Sequence, residues 1–339
     1  MTQRAFICGL SGLSLSSEER DFLAGARPAG IILFSRNVES PEQVRHLVAE
    51  AREAAGDSNR LLVLVDQEGG RVQRLAAPHW PRYPAAHAFA VRHGDNLEQA
   101  GHSARLCARL IARDLHLLGI NTTCAPVLDL PVPGANNVIG DRAYGSDVRT
   151  VIALGGAVAE GLLAGGVLPV IKHIPGHGRA MADSHLALPV VVTPLPELRQ
   201  TDFAPFRALR HLPMAMTAHV VFSAVDPSAP VTISKTAIED AVRGDIGFEG
   251  LLMSDDLSMR ALSGSLESRT RASLNAGCDL ALHCSGKMDE MVAVAGASPY
   301  LEGAALSRFE AALGHLHQPL PFDHEEAEEI RAELVAATA

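Results

Sequence analysis

Apolar residues recur along this chain in two rhythms. Short unbroken runs bounded by turn-forming residues predict buried strands at Ala5–Cys8, Gly30–Phe34, Leu61–Val65, Ile120–Ala125, Val167–Ile171, Pro213–Thr217, Gly250–Met253 and Asp279–His283. Between them, apolar positions spaced three and four apart predict amphipathic helices over 41–55, 97–118, 147–164, 196–210, 234–243 and 264–276. The helix over 41–55 is the best delimited. Ser40-Pro41-Glu42-Gln43 supplies a cap, a proline at the first helical position and a glutamine at the third. Val44, Leu47, Val48 and Ala51 form one apolar face, and Gly56 ends it.

Strands alternating with helices predict parallel βα units, and this strand count in 339 residues suits a single (β/α)8 TIM-like barrel better than an open doubly wound sheet. A dinucleotide-binding fold needs a G-x-G-x-x-G turn after the first strand, and Gly9-Leu10-Ser11-Gly12 has the wrong spacing. No internal repeat, low-complexity tract or linker divides the chain. One barrel domain over 1–339 is therefore expected, with a peripheral acidic helix at about 324–337.

Composition narrows the partners. A net charge of −10 with no lysine or arginine cluster excludes nucleic acid and anionic membrane as expected partners. No apolar run approaches the roughly 18 residues that span a bilayer. The polar run from Ser17 to Asp21 follows too short an apolar stretch for a signal peptide. Five cysteines, odd in number and without a C-x-x-C pair, point to free thiols in a reducing compartment. A cytoplasmic location is expected. Aromatic residues are only 4% of the chain, so any sugar site should be small and polar.

A barrel places its chemistry where strands end. Asp66 follows the third predicted strand, Lys172 and His173 the fifth, His219 the sixth and Asp255 the seventh. Lys172-His173-Ile174-Pro175-Gly176-His177-Gly178, followed by Asp183-Ser184-His185, is the densest cluster of titratable groups. Its proline and glycines disfavour a helix, so a loop held by a rigid strand is expected. An aspartate two residues from a histidine can fix the ring tautomer and leave the other nitrogen free for proton transfer; a loop-stabilising turn competes evenly with that reading. In Ser254-Asp255-Asp256-Leu257, strand-end position assigns Asp255 a chemical role as a carboxylate nucleophile and Asp256 that of a helix cap. Asp66-Gln67-Glu68-Gly69-Gly70-Arg71-Val72-Gln73-Arg74 can present an aspartate and an arginine to neighbouring hydroxyls, with glycines allowing close backbone approach. Gly140-Asp141-Arg142 adds a guanidinium, which alone would pass for a surface ion pair.

These segments carry a resemblance. DQEGGRVQR at 66–74, NVIGDR at 137–142, KHIPGHG at 172–178 with DSH at 183–185, TAHV at 217–220 and SDDLSM at 254–259 are similar, in order, to the motifs of bacterial cytosolic β-N-acetylglucosaminidases of glycoside hydrolase family 3. The resemblance spans most of the chain. It implies retaining removal of terminal N-acetylglucosamine from peptidoglycan (muropeptide) fragments during wall recycling, without metal or cofactor. It also implies Asp255 as nucleophile and His185 as general acid/base, oriented by Asp183. Asp66, Arg74, Arg142, Lys172 and His173 are implied to bind the sugar hydroxyls. Ile174 stands where that family usually has phenylalanine, and carries no group the chemistry needs.

Three rival readings compete with this one. His173, His177, Asp183 and His185 are plausible metal ligands in type, but metal barrels draw ligands from several strands. Substrate-assisted attack by the acetamido group would use the Asp255-Asp256 pair differently. A non-catalytic sugar-binding barrel would leave the joint presence of Asp255, Asp183 and His185 unexplained.

Overall fold

A computed structural model describes residues 2–56, 60–181, 184 and 187–337. Eight parallel strands close a barrel in sequence order: β1 (Arg4–Gly9), β2 (Pro28–Leu33), β3 (Leu62–Val65), β4 (Thr122–Thr123), β5 (Leu168–Ile174), β6 (Met214–Thr217), β7 (Leu251–Asp256) and β8 (Leu280–His283). β1 completes the ring by pairing with both β2 and β8. All eight predicted strands are present, and the TIM-like architecture is as expected.

Alternation along the strands builds two cores. Ile7, Leu62, Leu64, Leu168, Val170, Met214, Met216, Leu251, Met253, Leu280 and Leu282 fill the barrel. Phe6, Cys8, Val63, Val65, Ile171, Ala215, Leu252 and Ala281 face the helical shell. Continuing the inward positions two residues on gives Asp66, Lys172, Asp255 and Cys284 at the mouth.

The helices are α1 (Ser17–Ala26), α2 (Pro41–Ala54), α3 (Ala86–His93), α4 (Leu97–Leu117), α5 (Val148–Ala164), α6 (Leu195–Gln200), α7 (Phe203–Ala208), α8 (Leu266–Ala276), α9 (Met288–Ala297), α10 (Gly303–Leu313) and α11 (His324–Ala337). Four differences from expectation have local causes. The predicted helix over 196–210 is split into α6 and α7 at Thr201-Asp202, where the Asp202 carboxylate accepts from Arg179 and the Thr201 hydroxyl. The predicted 234–243 helix is a π-helix, Ala237–Asp245. Lys172 and His173 lie on the end of β5 rather than on a loop, and Asp255 and Asp256 on the end of β7. Helices α1, α3, α9 and α10 were not expected, although α1 carries a complete Ser16–Glu19 capping box.

The acidic α11 lies on α3 and α4, burying Ala327 and Leu334 and pairing Glu333 with Arg92. Among the described residues no helix is long and apolar enough to cross a membrane.

Candidate active site

Asp66, Glu68, Arg74, Arg142, Lys172, His173 and Asp255 line one cavity of about 430 Å³ at the C-terminal mouth of the barrel. That is at the small end of ligand clefts, which run to about 1,000 Å³, and fits a single sugar better than a chain of them. Hollows of about 590 and 520 Å³ occur elsewhere, but neither is lined by these strand-end residues.

One wall is ionic. The Lys172 ammonium lies 2.6 Å from Glu68 Oε1 and 3.2 Å from Asp66 Oδ1. Arg142 meets both Glu68 oxygens at 2.8 Å, the bidentate geometry that guanidinium favours. Arg74 Nη2 donates to Asp66 Oδ2 at 3.0 Å while its guanidinium lies over the Phe34 ring. Burial opposes ionisation of Asp66 and Glu68, but Lys172 and the two arginines outweigh it and hold both carboxyls below their ordinary range. Burial alone would lower Lys172, and its two carboxylates raise it above its usual value instead. The network is therefore ionised at neutral pH.

The glycines of the 66–74 segment serve the backbone. Gln67–Gly69 and Val72–Gln73 form a hairpin, and Gly69 has a φ of 96°. A Cβ there would sit 2.3 Å from the Pro84 carbonyl oxygen. Close packing on the chain's own Pro84 explains Gly69, in place of the expected approach to a ligand.

His173 reaches the cavity where the β5–β6 register shifts between Lys172 and Ile174. Asp129 fixes it. Its Oδ1 accepts the backbone N–H groups of His173 and His177, and its Oδ2 lies 2.7 Å from His173 Nδ1. That bond puts the proton on Nδ1 in the neutral ring and leaves Nε2 for a ligand. Asp129 is buried, and the histidine rings and peptide N–H groups hold its carboxyl below the ordinary range against the desolvation that would raise it.

Asp255 Oδ1 accepts the Asp256 N–H at 2.8 Å. Desolvation would raise this carboxyl, but His219, His173, that peptide N–H and Lys172 together bring it below the usual value. Asp256 accepts from Ser258 and from the Cys284 N–H, closing the strand end. It is not the helix cap that was expected, since Ser265 caps the next helix, and Asp256 itself lines the cavity.

Asp183 and His185 lie outside the described residues. Ser184, between them in sequence, has its hydroxyl 3.0 Å from His177 Nε2. Among the described residues no three His, Cys, Asp or Glu side chains are grouped to hold a metal ion, and His173 and His177 are engaged by Asp129 and Ser184. The five cysteines are free, four of them buried.

Glu68 and Asp129 join the site in the structure without a role predicted from sequence. Asp129 had a usable signal: Ala125-Pro126-Val127-Leu128-Asp129-Leu130-Pro131 surrounds one carboxylate with apolar residues, and a buried charge needs partners. Glu68 lies two residues past Asp66, so the same inward alternation that reaches Asp66 reaches it as well.

A barrel whose mouth gathers an ionised carboxylate and an ionic wall around a cavity of about 430 Å³ is the setting in which the comparisons with known proteins place a glycoside hydrolase. The chain belongs to glycosyl hydrolase family 3: the model of the family's N-terminal domain matches residues 6–316. A β-hexosaminidase of Alkalilimnicola ehrlichii is 43% identical over 281 residues, covering 82% of this chain and 79% of that protein. NagZ from Neisseria gonorrhoeae, solved in complex with N-trifluoroacetyl-D-glucosamine, superposes with a TM-score of 0.88 at 31% identity, covering 100% of this chain and 99% of that one. A family 3 β-N-acetylglucosaminidase from Paenibacillus matches at a TM-score of 0.84 and 31% identity, over 97% of this chain and 66% of that longer one. Within the family, the chain is a glycoside hydrolase of the β-N-acetylhexosaminidase group.

Proposed function

We propose that this protein removes terminal non-reducing N-acetylglucosamine from peptidoglycan fragments (muropeptides) by two-step retaining hydrolysis. The observation that carries the reading is the Asp255 carboxylate, favoured in its ionised form at the cavity wall beside the Asp66–Glu68–Lys172–Arg142 network. Its Oδ1 is engaged by the Asp256 N–H, so Oδ2 is the attacking oxygen. In the first step Oδ2 bonds to the anomeric carbon as the glycosidic bond breaks, and His185 gives its proton to the leaving oxygen. In the second, His185 takes a proton from water, whose oxygen displaces Asp255. Two inversions retain the anomeric configuration. Asp183 orients His185, and an imidazole with an ordinary pKa of about 6.5 serves in both directions near neutral pH.

Asp66, Arg74, Arg142, Lys172 and His173 bind the hydroxyl groups, each already held by a partner before the sugar arrives. Glu68 and Asp129 are added to this set as the residues that hold them. The chain acts as one barrel on a small saccharide without metal or cofactor, and its free thiols suit the cytoplasm.

The test is release of p-nitrophenol from p-nitrophenyl N-acetyl-β-glucosaminide with and without EDTA, followed by trapping with a fluorosugar. EDTA-insensitive turnover and an adduct mapped to Asp255 are expected. Turnover lost to EDTA, or an adduct on another residue, overturns the proposal.

A further inference from the structure

His219 has no exposed surface and occupies a fixed place between two strand ends. Its Nε2 lies 2.9 Å from the Asp256 carbonyl oxygen, and its Nδ1 lies 2.7 Å from the Thr232 hydroxyl. A carbonyl oxygen only accepts, so Nε2 carries a hydrogen. The Thr232 hydroxyl has two further neighbours, the Thr217 hydroxyl at 2.8 Å and the Ala218 carbonyl oxygen at 3.2 Å. In the neutral ring Thr232 donates to Nδ1 and accepts from Thr217. In the protonated ring Nδ1–H donates to Thr232, which then turns its hydrogen to Ala218. The imidazole is thus satisfied in either state without moving, and its attachment to β7 persists in both.

That attachment is at the residue following Asp255. Asp256 accepts from His219 through its carbonyl and donates its N–H, one peptide earlier in the chain, to Asp255 Oδ1. The β7–β8 pairing shifts register between Met253 and Asp256 and resumes at Asp256 opposite Leu282, so Asp255 sits in the irregular step just before it. On the other side, Asp256 is held by the Cys284 N–H.

We propose that His219, locked by Thr232, is a positioning residue that sets the aim of the Asp255 carboxylate by holding the Asp256 carbonyl. This rests on the reading of Asp255 as the nucleophile. A histidine that merely fills space would affect folding without singling out the chemical step.

The experiment uses the full chain and the variants His219→Leu, His219→Gln and Thr232→Val. Three readouts are taken: the rate of trapping by a fluorosugar, kcat and KM on the p-nitrophenyl substrate, and the inhibition constant of free N-acetylglucosamine. Misplacing a reacting group by about 1 Å costs about a hundredfold, so His219→Leu should slow trapping and kcat by about that factor. Glutamine can place an N–H near the Nε2 position, and should recover about tenfold of the loss. Thr232→Val, which keeps the side-chain shape, should fall between wild type and His219→Leu and carries the test if His219→Leu does not fold. The inhibition constant should stay within about twofold in every variant, since the hydroxyl-binding wall is untouched.

Trapping by His219→Leu at the wild-type rate overturns the proposal. So does glutamine faring no better than leucine, or an inhibition constant that rises in step with the loss of kcat. The wild-type adduct separates the two failures. An adduct away from Asp255 removes the nucleophile assignment, whereas one on Asp255 with indifferent His219 variants removes the positioning role alone.

Discussion

Replacing Lys172 by methionine keeps most of the side-chain stem and deletes one buried charge. Its side chain is 3% exposed, and its ammonium contacts two carboxylates, at 2.6 and 3.2 Å. At an effective dielectric of about 20, a pair 4 Å apart attracts by about 4 kcal/mol before desolvation is counted. Removing one partner of a buried pair costs a net of about 3–5 kcal/mol, chiefly because the other charge is stranded. Here Arg74 stays on Asp66 and Arg142 on Glu68, so the expected loss is about 4 kcal/mol rather than twice that.

The pH dependence identifies the cause. Desolvation pushes the Glu68 carboxyl upward, and Lys172 is the first of the charges that hold it down. In the wild type such a depressed carboxyl contributes stability above its unfolded value of about 4.3, lost as pH falls through the folded value. Without Lys172 the folded value rises, so the stranded charge exists only above it. The deficit of Lys172→Met should be largest near about pH 8 and shrink toward about pH 5, as Glu68 takes up a proton. Urea unfolding followed through Trp80, the one tryptophan and 7% exposed, measures this at each pH. A deficit below about 1 kcal/mol at the higher pH, or one constant across the range, refutes the reasoning. Adding Glu68→Gln to Lys172→Met should restore part of the loss near pH 8 and none at low pH.

Asp129→Asn retains an acceptor for the two peptide N–H groups but not the anion beside His173 Nδ1; kcat/KM on the p-nitrophenyl substrate should fall about a hundredfold, and unchanged kinetics would contradict the orienting role. Burial, then His173, push the His177 ring down to about 4, so the folded protein resists a proton that the unfolded chain binds. Stability should therefore fall as pH drops from about 6.5 to about 4, by about 3 kcal/mol for this group, and His177→Asn should flatten that slope in urea unfolding. His185→Ala should slow substrates with poor leaving groups far more than activated aryl glycosides; equal losses would remove it as the acid.

The barrel was legible because its signal is local and repeated: eight apolar runs, each too short for a helix, separated by amphipathic stretches. Asp66, Lys172 and Asp255 were legible because strand alternation continues past the apolar core. The splitting of α6 from α7 was not, because it rests on the Asp202 contact with Arg179, twenty-three residues away in sequence. The same holds for Asp129, whose partners His173 and His177 arrive from the next strand. Glu68 stands on the same alternation as Asp66; what periodicity does not reveal is that Lys172 and Arg142, distant in sequence, both converge on it.

The cavity lining carries four carboxylates, Asp66, Glu68, Asp255 and Asp256, against four cations, Arg71, Arg74, Arg142 and Lys172. These eight formal charges balance one another, and Arg71 is paired in addition with Asp141 at 2.7 Å. Conversion of Asp255 to a glycosyl ester would remove one negative charge and leave the lining more positive by one for the lifetime of the intermediate. An arriving acceptor then meets an electrostatic field that the departing aglycone did not. Such a field favours incipient hydroxide, and it favours inorganic phosphate still more. On the proposed mechanism, partition of the intermediate between water and phosphate would report this charge balance, and neutralising Arg71 at the rim would shift it toward water.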